Sequence, residues 1–188
     1  MDFRELIAKR RSVREFNDRA VPLELVREII ADSIQAPNAR NAQPWSFIVV
    51  ADSHMIKRLS DESKKNILWD MGDNPASPYV MYKPILENVD FNVFYNAPCV
   101  VYIAGPRDIR STTVDCALAA AYFMLSAADR GLGTCWVDLG SAIRDPILKN
   151  ELGLPNDHVI VSTLALGYPV RVPVTPPRSE PRILKIVK

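Results

Sequence analysis

The run Thr113 to Gly140, TVDCALAAAYFMLSAADRGLGTCWVDLG, decides how the rest of the chain is read. From Val114 to Asp129 it holds good helix formers, with apolar side chains around nearly the whole circumference, and a helix apolar all round is buried. Asp115 suits an N-cap or first-turn acid. Arg130, Gly131 and Gly133 supply a C-terminal charge and a stop. Thr134 to Val137 is a short β-prone run, followed by a turn at Asp138-Leu139-Gly140. The small residues Ala117, Ala119, Ala120, Ala121, Ala127 and Ala128 permit close helix packing. Two readings stay open on this pattern, a core helix of a monomer and a helix packed against a second copy of the chain.

The totals narrow the remainder. At 188 residues the chain suits one domain, 1–188, with a real core. Its 23 basic and 22 acidic residues leave a net charge of +1, so no bulk field favours nucleic acid or a membrane surface. The hydrophobic content of 48% comes without any run of the roughly 20 apolar residues that a spanning helix needs. MDFRELIAKRR at the N-terminus lacks a signal-type apolar core. A cytoplasmic location is expected. Cys99, Cys116 and Cys135 read as reduced structural thiols. With His54 and His158 the only histidines and no CxxC or HExxH, no metal site is expected.

In chain order, Asp2 caps a first helix to Lys9, with Phe3, Leu6 and Ile7 at helical spacing. A second helix opens at Pro22 and aligns Leu25, Val26, Ile29, Ile30 and Ile34. Ser46 to Ala51 reads as a strand, and Ser53 to Lys64 as a helix with Met55, Ile56 and Leu59 inward. Periodicity is lost over 65–92, a stretch that suits a lid. Cys99 to Ala104 is a continuous apolar strand. Ser141 to Glu151 reads as a short helix interrupted at Pro146, and Val159 to Leu166 as a strand. The proline-rich tail 168–188 is expected to be extended. Strands and helices alternate, giving an α/β or α+β domain with four or five strands.

Three places can carry chemistry. Arg10, Arg11, Ser12 and Arg14 place three guanidiniums and a hydroxyl within five residues, a local anion site or else a solvated charged turn. The amides of Asn38, Asn41 and Gln43 offer paired donors and acceptors suited to a heterocycle edge, or serve only to satisfy the turn. The turn at Asp138-Leu139-Gly140 can aim backbone N–H groups at a ligand. Gly131-Leu132-Gly133 follows a helix and precedes a strand, the reverse of a dinucleotide fingerprint. No GxxxxGK[ST] or GxSxG occurs, so nucleotide hydrolysis and serine esterase chemistry lack support.

Four motifs in register resemble the FMN-dependent nitroreductase family: RRSVREF (Arg10 to Phe16), APNARNAQPW (Ala36 to Trp45), GLGTCW (Gly131 to Trp136), and Arg178 in the tail. The resemblance implies an α+β, three-layer α-β-α sandwich with a central, mostly antiparallel sheet of four or five strands. It further implies an interlocked homodimer with two FMN sites at the interface. Arg10, Ser12 and Arg178 would hold the FMN phosphate, with Arg11 near phosphate or ribityl and Arg14 near the pyrimidine N1 and C2 carbonyl. Pro37, Asn38, Asn41 and Gln43 would reach the flavin from the other subunit. The backbone at Asp138 and Leu139 would face N5. Asn38 stands where the family usually has Ser, Asp138-Leu139 replaces a pair that is often Gly-Gly, and the resemblance does not extend over 65–92. The implied activity is reduction of nitroaromatics, quinones or related electrophiles with NADH or NADPH by ping-pong hydride transfer on FMN, with no catalytic side chain required. Specialised flavin-fragmenting or dehalogenating enzymes and a non-catalytic flavin-binding protein are the alternatives. The expected partners are a second subunit and a small-molecule acceptor, with no nucleic acid and no membrane.

Overall fold

The computed structural model describes residues 2–72 and 74–188. Four strands, β1 (Ser46–Val50), β2 (Cys99–Pro106), β3 (Gly133–Trp136) and β4 (His158–Gly167), form one sheet in the order β1-β2-β4-β3. All three pairings are antiparallel, and β2 and β4 shift register between Ile103 and Ala104. The continuous apolar run of β2 has a simple cause. Val100 and Tyr102 face one buried cluster while Cys99, Val101 and Ile103 face the other, so neither face meets water.

Helices cover both faces. On one side lie α2 (Leu23–Ser33) and α5 (Thr112–Asp129), with Val26, Ile29, Ala120 and Phe123 buried in the cluster they share with β2 and β4. On the other lie α3 (Ser53–Met71) and α6 (Pro146–Glu151), which contribute Ile56, Leu59, Ile67 and Leu148. The result is the expected three-layer α+β sandwich. A short α1 (Phe3–Lys9) has its N-cap where the sequence placed it, with Asp2 Oδ1 accepting from Glu5 N at 2.9 Å. The stop of α5 also falls at the expected residues. Leu132 N bonds Ala127 O and Gly131 N bonds Ala128 O around Gly131 at φ 75°, a Schellman closure that only a residue tolerant of left-handed backbone supplies cheaply.

Several boundaries differ from the sequence reading. The third helix does not end at Lys64 but continues to Met71, because Ile67 and Met71 prolong the buried row begun by Ile56 and Leu59, and Gly72 then ends it at φ 46°. A further helix, α4 (Lys83–Glu87), forms inside the stretch read as aperiodic, with Pro84 in its first turn, where a missing N–H costs nothing. The segment 141–145 is not helical. Asp145 instead caps α6 through Ile147 N at 2.8 Å. Most of all, α5 is not buried all round within the chain. Val114, Leu118 and Tyr122, one turn apart, are 61%, 36% and 40% exposed, and α1 buries none of its residues.

Two polar side chains of α3 hold irregular backbone in place. Lys64 Nζ donates to the carbonyls of Asn88, Val89 and Phe91 at 3.1, 3.4 and 2.8 Å. Glu62, 8% exposed, accepts from Asn66 Nδ2 at 2.6 Å and from the backbone N–H groups of Arg144 and Asp145 at 3.3 and 3.0 Å. Burial opposes ionisation of Glu62, but these donors outweigh it and hold the carboxyl below the usual range. A carboxylate with a depressed folded-state pKa stabilises above its unfolded pKa of about 4.3 and loses that contribution as pH falls through the folded value. Glu62→Gln is therefore expected to cost about 1–3 kcal/mol at pH 7, with the difference from the parent narrowing below about pH 4. Thermal melts of both proteins across that range check it.

Candidate functional site

The arginine cluster is placed by backbone pairing. Val13 N donates to Thr134 O at 2.9 Å and Ser12 forms a parallel bridge with Thr134, so the segment 10–14 lies along the free edge of β3. The approach is close enough that a Cβ at Gly133 would stand 2.7 Å from Val13. On its other side the same segment meets the start of the tail, through Phe16 opposite Pro169 and Val170 N donating to Glu15 O at 3.0 Å. Three short motifs far apart in the sequence thus form one ribbon.

Two adjoining cavities flank that ribbon. One, of about 410 Å³, is lined by Arg10 and Arg11 together with Gly131 to Thr134 and the tail residues Val172 to Thr175. The other, of about 340 Å³, is lined by Ser12, Arg14, Glu15 and Arg171 to Val174. Residues 172–174 wall both. Burial pushes the Cys135 thiol up, and the nearby charges of Arg14 and Arg10 oppose it, which places both cations beside β3. Among the described residues no carboxylate lies within ion-pair distance of Arg10, Arg11 or Arg14, whereas Arg27, Arg58, Arg130, Arg144 and Arg171 are all paired. Uncompensated guanidiniums at a concave edge fit an anionic group such as phosphate. Arg11 is the most constrained of the three. Its terminal nitrogens contact Arg10 O, Ala8 O and Thr175 Oγ1, so it ties the tail to the end of α1. Arg178 lies in the exposed tail and lines neither cavity.

The amide loop is elsewhere. Its strained core has Arg40, Asn41 and Gln43 at φ 55°, 53° and 45°, and such non-glycine conformations persist only where the surroundings enforce them. Asn38 Oδ1 accepts from Gln43 N at 3.0 Å, and Gln43 Nε2 donates to Asn41 Oδ1 at 3.1 Å. Asp115, 2% exposed, accepts from Ala39 N at 3.2 Å and anchors the loop, including Pro37, to the first turn of α5. Eighteen helical residues, about 27 Å of rise, separate that end from Gly131. Within one chain the amides and the arginines therefore stand at opposite ends of α5.

Around the turn at 138–140, Leu139 is buried and Asp138 exposed. Tyr79 Oη donates to Asp138 Oδ2 at 3.2 Å, and burial together with that carboxylate pushes the Tyr79 phenol up. Asn66 Nδ2 donates to Ala142 O at 2.7 Å, so α3 fixes the segment after the turn. Sequence reasoning missed these supports. It also missed Tyr95, whose hydroxyl accepts from Arg14 Nε at 3.3 Å. No local signal marks any of them, since each works through a tertiary contact. All three cysteines are buried and free, and burial raises Cys99 to about 12 and Cys116 to about 11. No helix among the described residues is long and apolar enough to cross a membrane.

Comparison with known proteins identifies the family. Residues 7–168 match the profile of the Nitroreductase family. The chain belongs to that family. It is 28% identical over 166 residues, 88% of this chain and 84% of the other, to a protein of Archaeoglobus fulgidus named "Putative NADH dehydrogenase/NAD(P)H nitroreductase". It is 26% identical over 189 residues to iodotyrosine deiodinase 1 of Sus scrofa, matching 93% of this chain but 64% of that protein. Among solved structures, an FMN-bound nitroreductase from Bacteroides fragilis superposes over 100% of both chains with a TM-score of 0.83 at 22% identity, which establishes the fold.

The turn at 138–140 can be tested for its tight fit. A Cβ at Gly140 would lie 2.3 Å from the fully buried Phe94 ring, so Gly140→Ala is expected to cost about 1–3 kcal/mol through overpacking. Urea titration of the purified variant measures it.

Proposed function

We propose that the protein is an FMN-dependent oxidoreductase acting as a homodimer, taking electrons from NADH or NADPH and passing them to nitroaromatics, quinones or related electrophiles. The observation that carries this reading is the uncompensated Arg10 to Arg14 cluster laid along β3 in a chain of the Nitroreductase family. Bound FMN would supply the hydride-transfer chemistry between a nicotinamide and an acceptor. The chain's own groups bind and orient. Arg10 and Ser12 would hold the phosphate, joined by Arg178 of the tail, which lines neither cavity within one chain, and Arg11, which ties down the tail, would border phosphate or ribityl. Arg14 would stand near the pyrimidine N1 and C2 carbonyl, where a fixed cation would stabilise the charge of the reduced flavin. Backbone N–H groups at Asp138 and Leu139 would lie toward N5.

The span of α5 supports the dimer. Pro37, Asn38, Asn41 and Gln43 reach a flavin held at the other end of that helix only from a second, antiparallel subunit. The exposed Val114, Leu118 and Tyr122 stripe, the unpacked apolar face of α1 and the exposed valines of the tail are the surfaces it would cover. In this reading all of 1–188 forms one FMN-binding domain, with 65–92, whose first residues are the end of α3, as the lid over the acceptor. The similarity to iodotyrosine deiodinase 1 adds halogenated phenols to the acceptors worth screening.

Purified protein mixed with FMN and freed of excess is expected to retain flavin absorbance near one per subunit, and to oxidise NADH or NADPH only with an acceptor present. Folded protein that retains no flavin overturns the reading; flavin retained without turnover leaves a binding protein. Arg14→Ala is expected to keep a folded dimer and weaken FMN binding roughly 10- to 100-fold, the loss of a hydrogen bond to a charged group. Ala121→Glu is expected to abolish the dimer and flavin retention together, as sedimentation and absorbance would show.

A further inference from the structure

We propose that Tyr95 is a positioning residue that fixes the guanidinium of Arg14 and thereby sets how readily the bound flavin is reduced. The proposal rests on the reading of Arg14 as the neighbour of the flavin pyrimidine. Two contacts to one ring define the geometry. Tyr95 Oη accepts from Arg14 Nε at 3.3 Å, and the guanidinium carbon lies 5.8 Å from the ring centroid. Among the described residues these are the only hydrogen bond and ring contact of the Arg14 side chain. Nε is therefore engaged while both terminal nitrogens, with four of the five donors, are left to a ligand. A long, exposed side chain held in this way loses less freedom on binding than a free one, which is preorganisation.

The chain invests structure in placing that ring. Tyr95 and Asn96 adopt φ of 58° and 54°, left-handed backbone that non-glycine residues hold only when their surroundings enforce it. Neighbouring hydrogen bonds and ring contacts supply that enforcement. Val93 N donates to Ser60 Oγ at 3.0 Å, Phe94 N to Asn92 Oδ1 at 2.9 Å, and Tyr95 N to Asn92 O at 2.9 Å. Buried Lys64 holds Phe91 O, and the Phe91 ring meets Tyr95 edge-on at 6.2 Å. Phe94 between them packs on Gly140. One rigid turn, anchored on α3, thus touches both Arg14 and the 138–140 turn. A tyrosine placed only to fill the core would have no need of its hydroxyl near a cation.

Tyr95→Phe removes that hydroxyl and keeps the ring. The test compares the parent, Tyr95→Phe, Arg14→Ala and the double variant, each loaded with FMN, by midpoint potential, FMN dissociation constant and apoprotein melting temperature. Arg14→Ala is expected to make the potential more negative. Tyr95→Phe is expected to move it part of the way in the same direction, raise the dissociation constant about three- to tenfold, and leave the apoprotein melt unchanged. In the Arg14→Ala background the Tyr95 change should add nothing, since the two act as one unit. A potential that moves with Arg14→Ala but not with Tyr95→Phe overturns this inference alone, as does a Tyr95→Phe shift that persists undiminished without Arg14. An Arg14→Ala variant with parental potential and affinity overturns the Arg14 reading and this inference with it. Should Tyr95→Phe fail to fold, Phe91→Leu loosens the same ring from behind and is expected to lower the potential; no change there counts against the proposal.

Discussion

The site depends on a single backbone alignment, the hydrogen bond from Val13 N to Thr134 O that seats the charged segment on the edge of β3. Main-chain pairing fixes register, and in an extended segment a slip by one residue would turn every side chain to the other face. Seated as observed, Val13 goes into the core, where it is 2% exposed, while Ser12 and Arg14 border one cavity and Arg10 the next. Gly133 permits the approach because any side chain there would collide with Val13. The position of three cations is therefore set by two uncharged residues.

A second layer of constraint comes from α3. Its buried face is not uniformly apolar, since Ser60, Glu62, Ser63, Lys64 and Asn66 are buried beside Ile56, Leu59 and Ile67. Several of these polar groups reach out of the helix to backbone that has no regular partner: Ser60 to Val93, Lys64 to 88–91, and Glu62 and Asn66 to 142–145. Buried backbone must find hydrogen bonds somewhere, and here side chains of one helix supply them to two separate loops. Those loops carry Tyr95 and the turn at 138–140.

That arrangement explains what could be read from the sequence and what could not. The stop of α5 was legible because Arg130-Gly131 acts locally, as was Asp2 as a cap, and the strands were legible because apolar runs mark burial on both faces. The three motif regions were each visible by residue type. The continuation of α3 beyond Lys64 was hidden because the polar run SDESKKN breaks the apolar spacing between Leu59 and Ile67, and the burial of those polar side chains becomes apparent only once the loops they serve are in place. Tyr79 lies in the stretch without period and Tyr95 just beyond it, and their partners, Asp138 and Arg14, are 59 and 81 positions away. Nor does residue type show that the amides and the arginines stand at opposite ends of one helix.

That separation has a thermodynamic side. If each flavin is held by the arginine end of one subunit and the amide end of another, cofactor binding and subunit association are linked functions. Ligand that binds only the assembled form stabilises it by mass action, so dilution and flavin removal push on the same equilibrium. In such a protein, cofactor supply would govern how much assembled enzyme exists, and not only how much of it is active.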